Sequence, residues 1–107
     1  MSAVIDADDN NVEQEVLKAD RPVLVEFAAT GCGPGTKLEP VVHELATEMD
    51  SQVKVVRVDV DRAPTTAAKF GVLSVPTLLL VQEGQVKDQV IGLVSKRDLV
   101  ARIQKVL

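Results

Sequence analysis

The residue best suited to covalent chemistry is Cys32, the only cysteine in a chain of 107 residues. It lies within Thr30-Gly31-Cys32-Gly33-Pro34-Gly35-Thr36-Lys37. Before this segment comes the apolar run Val23-Leu24-Val25-Glu26-Phe27-Ala28, and after it Leu38, Val41, Val42, Leu45 and Met49 recur at helical spacing. The run reads as a strand buried on both faces and the recurrence as an amphipathic helix. A sharp Gly-rich turn between them puts Cys32 at the helix N-terminus. Unpaired N–H groups and the positive end of the helix dipole favour a thiolate there, which makes a nucleophile of the thiol. Strand, Gly-rich turn and helix is also the order of a phosphate-binding loop, but the details disagree. That pattern is G-x-x-x-x-G-K-[ST], whereas Gly31 and Gly35 enclose only three residues and Thr36 precedes Lys37. Pro34 also removes one N–H from any phosphate cradle. An inert thiol is the plainer alternative, since buried Cys is a common small hydrophobe. A place between two glycines at a helix start suits a core side chain poorly.

No second group pairs obviously with Cys32. His43, the only histidine, falls off the apolar stripe of its helix and reads as solvated. At eleven residues' distance along a helix it is also about 16 Å from Cys32. Asp59 and Asp61 alternate at a strand end without a companion cluster, and Asp61 reads as a cap or turn residue. Asp6, Asp8 and Asp9 read as solvated charge. A single cysteine excludes an intramolecular disulfide and Cys-based structural zinc. No metal and no cofactor is expected.

The elements that hold this turn follow from periodicity and punctuation. Ser2 to Ile5 suggests a short strand, and Asn10 with Glu13 a capping box that opens a helix to about Lys18. Pro40 lies inside the helical pattern after the turn and predicts a kink. Val53 to Val60 alternates and is rich in β-branched residues, as a strand is, and Arg62 to Phe70 reads as helical. Thr77 to Val81 and Gln85 to Ile91 are strands joined at Glu83-Gly84, a hairpin signal. Ser95 with Asp98 forms a second capping box, ahead of the stripe Leu99, Val100, Ile103, Val106 and Leu107. The order βαβαβαββα predicts an α/β domain over residues 1–107. The strands near residues 25 and 56 are parallel neighbours and the last two form an antiparallel hairpin, so the sheet is mixed with helices on both faces.

Composition sets the outer limits. Aliphatic and other apolar residues make up 46% and charged residues 26%, enough for a real core. Only Phe27 and Phe70 are aromatic, so that core is aliphatic. A net charge of −4 with no basic run argues against nucleic acid and anionic membrane as partners. No apolar stretch is long enough to span a bilayer, and no signal-peptide pattern opens the chain, which makes a cytoplasmic location the expectation.

Taken together these residues resemble the thioredoxin family over essentially the whole chain. The matching features are Val23 to Phe27, Cys32-Gly33-Pro34, Pro40, Val58-Asp59-Val60-Asp61 and Lys69-Phe70-Gly71-Val72. They continue with Val75-Pro76-Thr77-Leu78-Leu79-Leu80, Glu83-Gly84 and Gly92. The resemblance implies the thioredoxin fold, a sheet of about five strands flanked by about four helices. It further implies a cis peptide bond at Pro76 facing Cys32, and a groove for extended peptide lined by Val75, Pro76 and Gly92. Glu26 occupies the position of the family's buried Asp and Arg57 that of its partnering Lys, which suggests a buried Glu26–Arg57 pair. A Glu26 that reaches solvent at a strand end is the alternative.

The departures concern the chemistry. The family's turn reads Trp-Cys-Gly-Pro-Cys-Lys, but here Gly31 stands for the Trp, Gly35 for the second Cys and Thr36 for the basic residue. Ala28 replaces another usual Trp, so apolar contact area near the thiol is lost. Cys32 can attack a disulfide and form a mixed disulfide, but without a second thiol no intramolecular step releases the product. The implied function is a thiol–disulfide oxidoreductase in which Cys32 is the lone nucleophile, acting on protein or peptide disulfides. Release then requires an external thiol such as glutathione. The alternative is a redox-inactive module that binds peptide or protein in the same groove. A monomer is expected, with a Cys32–Cys32 dimer as the other state open to a lone thiol.

Overall fold

The structure, a computed structural model, describes residues 3–29 and 33–107. Five strands, β1 (Val4–Ala7), β2 (Val23–Ala28), β3 (Lys54–Asp59), β4 (Thr77–Gln82) and β5 (Gln85–Ile91), form one sheet in the order β1-β3-β2-β4-β5. β2 and β1 run parallel to β3, whereas β4 is antiparallel to both β2 and β5. The sheet is therefore mixed, with the expected parallel pair at its centre. Three α-helices, α1 (Gly33–Glu48), α2 (Pro64–Lys69) and α3 (Lys96–Val106), join a five-residue π-helical turn at Glu13–Leu17. This is the thioredoxin fold.

Alternation along the strands splits the core in two. Leu24, Val55, Leu78 and Leu80 point to one face and pack with Leu38, Val42 and Leu45 of α1 and Leu99 and Ile103 of α3. Val25, Phe27, Val56, Val58 and Leu79 point to the other and pack with Val12, Val16 and Ala63. All six residues of β2 are buried. That explains its unbroken apolar run, and it makes Glu26 conspicuous as the one charge within it.

Local details depart from the sequence reading in two places. The first strand is Val4–Ala7, two residues later than Ser2 to Ile5, because Val4 to Ala7 are the residues in register with Val55 to Val58. Asn10 does not cap the following turn. Instead Asn11 Oδ1 accepts from Asp8 N at 2.7 Å and Asp8 Oδ1 accepts from Asn10 N at 2.8 Å, and the helical segment opens at Val12 with no side-chain cap. The turn is π-helical because Lys18 N reaches back five residues to Glu13 O, at 2.9 Å. α1 carries Pro40 within its length, Gly33–Glu48. At the β4–β5 hairpin Glu83 and Gly84 both have positive φ, 54° and 77°, as a two-residue turn of the primed type requires.

Candidate functional site

β2 ends at Ala28 and α1 begins at Gly33, so the strand and helix read from the sequence flank the segment that holds the thiol. Gly31 and Cys32 lie outside the described residues. Gly33, Pro34 and Gly35 form the backbone of α1's first turn, which contains no acidic residue. No carboxylate in that turn competes with an anion for the helix's positive end.

The Val75–Pro76 peptide bond is cis. Pro76 O accepts a hydrogen bond from Gly92 N at 2.9 Å, and Gly92 has φ of +89°, a conformation that favours glycine. Thr77 Oγ1 donates to Ser74 O at 2.6 Å and ties the loop to the base of β4. Val75, Pro76 and Gly92 thus lie together at one end of β4 and β5. Apolar surface concentrates here: Leu73 is 99% exposed, Ile91 64% and Leu93 55%. A small open cavity of about 180 Å³ lies beside Leu73, lined also by Val60, Ala67, Val72, Ser74 and Val75.

Glu26 and Arg57 sit opposite each other on β2 and β3 and share the face covered by α1. Glu26 is fully buried, so it does not reach solvent. Arg57 Nε lies 3.9 Å from Glu26 Oε1, but its hydrogen bond, at 2.9 Å, goes to Glu39 Oε1 of α1. Among the described residues no donor reaches either Glu26 oxygen. Burial is the main force on this carboxyl group, and the nearby Glu39 adds repulsion and a place to share the proton. Together they outweigh Arg57 and push Glu26 up to about 8. The Glu26–Arg57 pair read from the sequence is present as a long contact of 3.9 Å, in which Arg57 is shared with Glu39.

Sequence reading missed Glu39. It lies 18 residues from Arg57 in sequence, and the contact depends on how α1 crosses the sheet. The available signal was local: Glu39 and His43 stand one helical turn apart, and Glu39 Oε2 is 3.3 Å from His43 Nε2. His43 is exposed. Asp59 turns back on its own loop, where its Oδ1 accepts from Asp61 N at 2.9 Å. Among the described residues no group of acidic, His or Cys side chains is placed to hold a metal. Among them, no helix is long and apolar enough to cross a membrane.

Comparison with known proteins agrees with this geometry. The family model described as Thioredoxin matches residues 3–105. Thioredoxin 1 of Nostoc sp. is 42% identical over 105 residues, covering 98% of each chain. The thioredoxin of Synechocystis sp. is 39% identical over 107 residues, covering both chains fully. That of Rickettsia conorii is 40% identical over 97 residues, or 91% of this chain and 92% of its own. Matched to that family over nearly its whole length, the chain belongs to the thioredoxin family, thiol–disulfide oxidoreductases that act on protein disulfides.

Proposed function

We propose that this protein is a single-thiol oxidoreductase, in which Cys32 alone carries the exchange. The observation that carries this reading is the replacement of the family's second active-site cysteine by Gly35 in a chain with one cysteine in all. The thiol immediately precedes α1, whose first turn holds no acid to oppose a thiolate. The Cys32 thiolate attacks the glutathione sulfur of a glutathionylated protein, and the protein thiolate leaves. A second glutathione thiolate then attacks the Cys32–glutathione bond, releasing oxidised glutathione and regenerating the Cys32 thiolate. Every bond made is matched by one broken, and the external thiol supplies the electrons. The loop at Val75, Pro76 and Gly92 holds the extended substrate segment.

The test is turnover of a glutathionylated peptide in excess glutathione, compared with Cys32→Ser. Multiple turnovers that vanish in the variant are expected. A rate equal to the variant's overturns the single-thiol cycle. One observation favours a second reading, peptide binding without redox chemistry: the exposed apolar residues Leu73, Ile91 and Leu93 around Pro76 need no thiol to engage a partner. Peptide binding at undiminished affinity by Cys32→Ser, with no turnover by the parent, is the result that would establish it.

A further inference from the structure

Four side chains form a line from the core to the surface. Glu26 is 0% exposed, Arg57 23%, Glu39 26% and His43 48%. The successive approaches are 3.9 Å between Glu26 Oε1 and Arg57 Nε, 2.9 Å between Arg57 Nε and Glu39 Oε1, and 3.3 Å between Glu39 Oε2 and His43 Nε2. Arg57 serves one carboxylate at hydrogen-bond distance, and it serves the outer one. Among the described residues, the buried carboxyl group is left without a donor.

We propose that Glu39 is a positioning residue for the buried acid: its hydrogen bond draws the Arg57 guanidinium away from Glu26, and so sets the charge behind the active turn.

A guanidinium hydrogen-bonded to a buried carboxylate strongly favours the ionised form. Here that bond is spent on Glu39, and Glu39's own charge opposes a second negative charge beside it. Among the described residues, Glu39 is the group that accepts from Arg57 Nε. β3 presents Arg57 and, two residues further along the same face, Asp59; β4 places Leu78 opposite; β1 places Asp6 opposite Arg57. α1 supplies Glu39 and, one turn on, His43, whereas α3 contributes Leu99 and Ile103 to this side of the core. The effect bears on thiol chemistry through position. Glu26 lies two residues before the end of β2, about 7 Å along the strand. A negative charge there disfavours a thiolate in the turn that follows. This last step rests on the reading of Cys32 as nucleophile.

The test follows the Glu26 side-chain carboxyl carbon by NMR as the full chain is titrated. Glu39→Gln keeps the shape and removes the charge, which weakens the hold on Arg57 and favours its turning to Glu26. It is expected to lower the Glu26 midpoint by about one pH unit or more, a tenfold change in proton affinity. Glu39→Asp keeps the charge and is expected to restore much of the shift. Glu44→Gln, which removes an exposed carboxylate from the same helix, controls for loss of charge in general and is expected to leave the midpoint in place. A Glu26 midpoint in Glu39→Gln that matches the parent, or that moves no further than in Glu44→Gln, overturns the proposal. The pH profile of Cys32 alkylation is read on the same samples, where Glu39→Gln is expected to raise the thiol's midpoint. A thiol unreactive in parent and variants alike overturns the single-thiol reading, while the Glu26 midpoints still decide the role of Glu39.

Discussion

A carboxyl group that no donor reaches in a protein interior is tolerated best while it keeps its proton. Glu26 is such a group, and its folded-state value of about 8 stands well above the ordinary 4.5. Below about 4.5 the folded and unfolded chains both hold the proton. Between there and about 8 the unfolded chain releases it and the folded one does not, so stability falls as pH rises, and it levels off above that window. Glu26→Gln fills the same space without a charge to desolvate. It is expected to flatten this slope and to exceed the parent's stability at pH 8 by about 1–3 kcal/mol. Urea unfolding of both proteins at pH 5 and pH 8 measures it. A stability difference that does not change with pH would show that Glu26 does not drive the slope. The sequence made Glu26 and Arg57 visible because a charge within an apolar strand is anomalous wherever it occurs. It did not reveal that Arg57 turns outward to Glu39, since a polar residue on a half-buried helix face is ordinary and its partner is fixed only when α1 docks.

At the scale of elements, the helix ends show what local sequence decides. Ser95 Oγ accepts from Asp98 N at 3.1 Å, as the capping-box spacing predicts, and satisfies one donor that the first turn of α3 would otherwise leave open. Ser95→Ala is expected to cost about 1 kcal/mol, read as a lower urea midpoint with an unchanged slope. Loss of less than about 0.3 kcal/mol would mean that water replaces the cap at no cost. The same pattern at Asn10 misled because a competing local bond was available. Asp8 and Asn11 close their own turn, and the helical segment then starts two residues later on Val12. A pattern of side chains names the possible bonds, and the backbone takes whichever set its neighbours allow. The first strand shifted for a related reason: pairing with β3, 51 residues away, set its limits. α3, β2 and the β4–β5 hairpin, by contrast, carry their caps, apolar runs and turn residues within a few positions, and these elements were legible directly.

At the scale of the whole molecule, the sheet order brings the end of β2, the start of α1 and the Pro76 loop into a frame that nearly the full length of the chain shares with thioredoxins. What separates this chain from the dithiol pattern is then a single position in that frame, Gly35. The frame was readable from strand order and motif spacing, while the arrangement at the thiol itself lies outside the described residues and rests on chemistry. That chemistry makes a sharp forecast. A thioredoxin reductase returns electrons to a Cys-x-x-Cys pair, so the parent chain, with one thiol, is expected to give no insulin reduction with NADPH and that reductase. Gly35→Cys restores the spacing. The introduced thiol would attack the Cys32 mixed disulfide, release the substrate thiolate and leave an intramolecular disulfide for the reductase to reduce. Reductase-driven insulin reduction is expected to appear in this variant. Failure of Gly35→Cys to gain it, while Cys32 remains open to alkylation, would place the difference elsewhere, in the apolar side chain lost at Gly31. Adding Trp at position 31 would then restore docking where the second thiol alone had not.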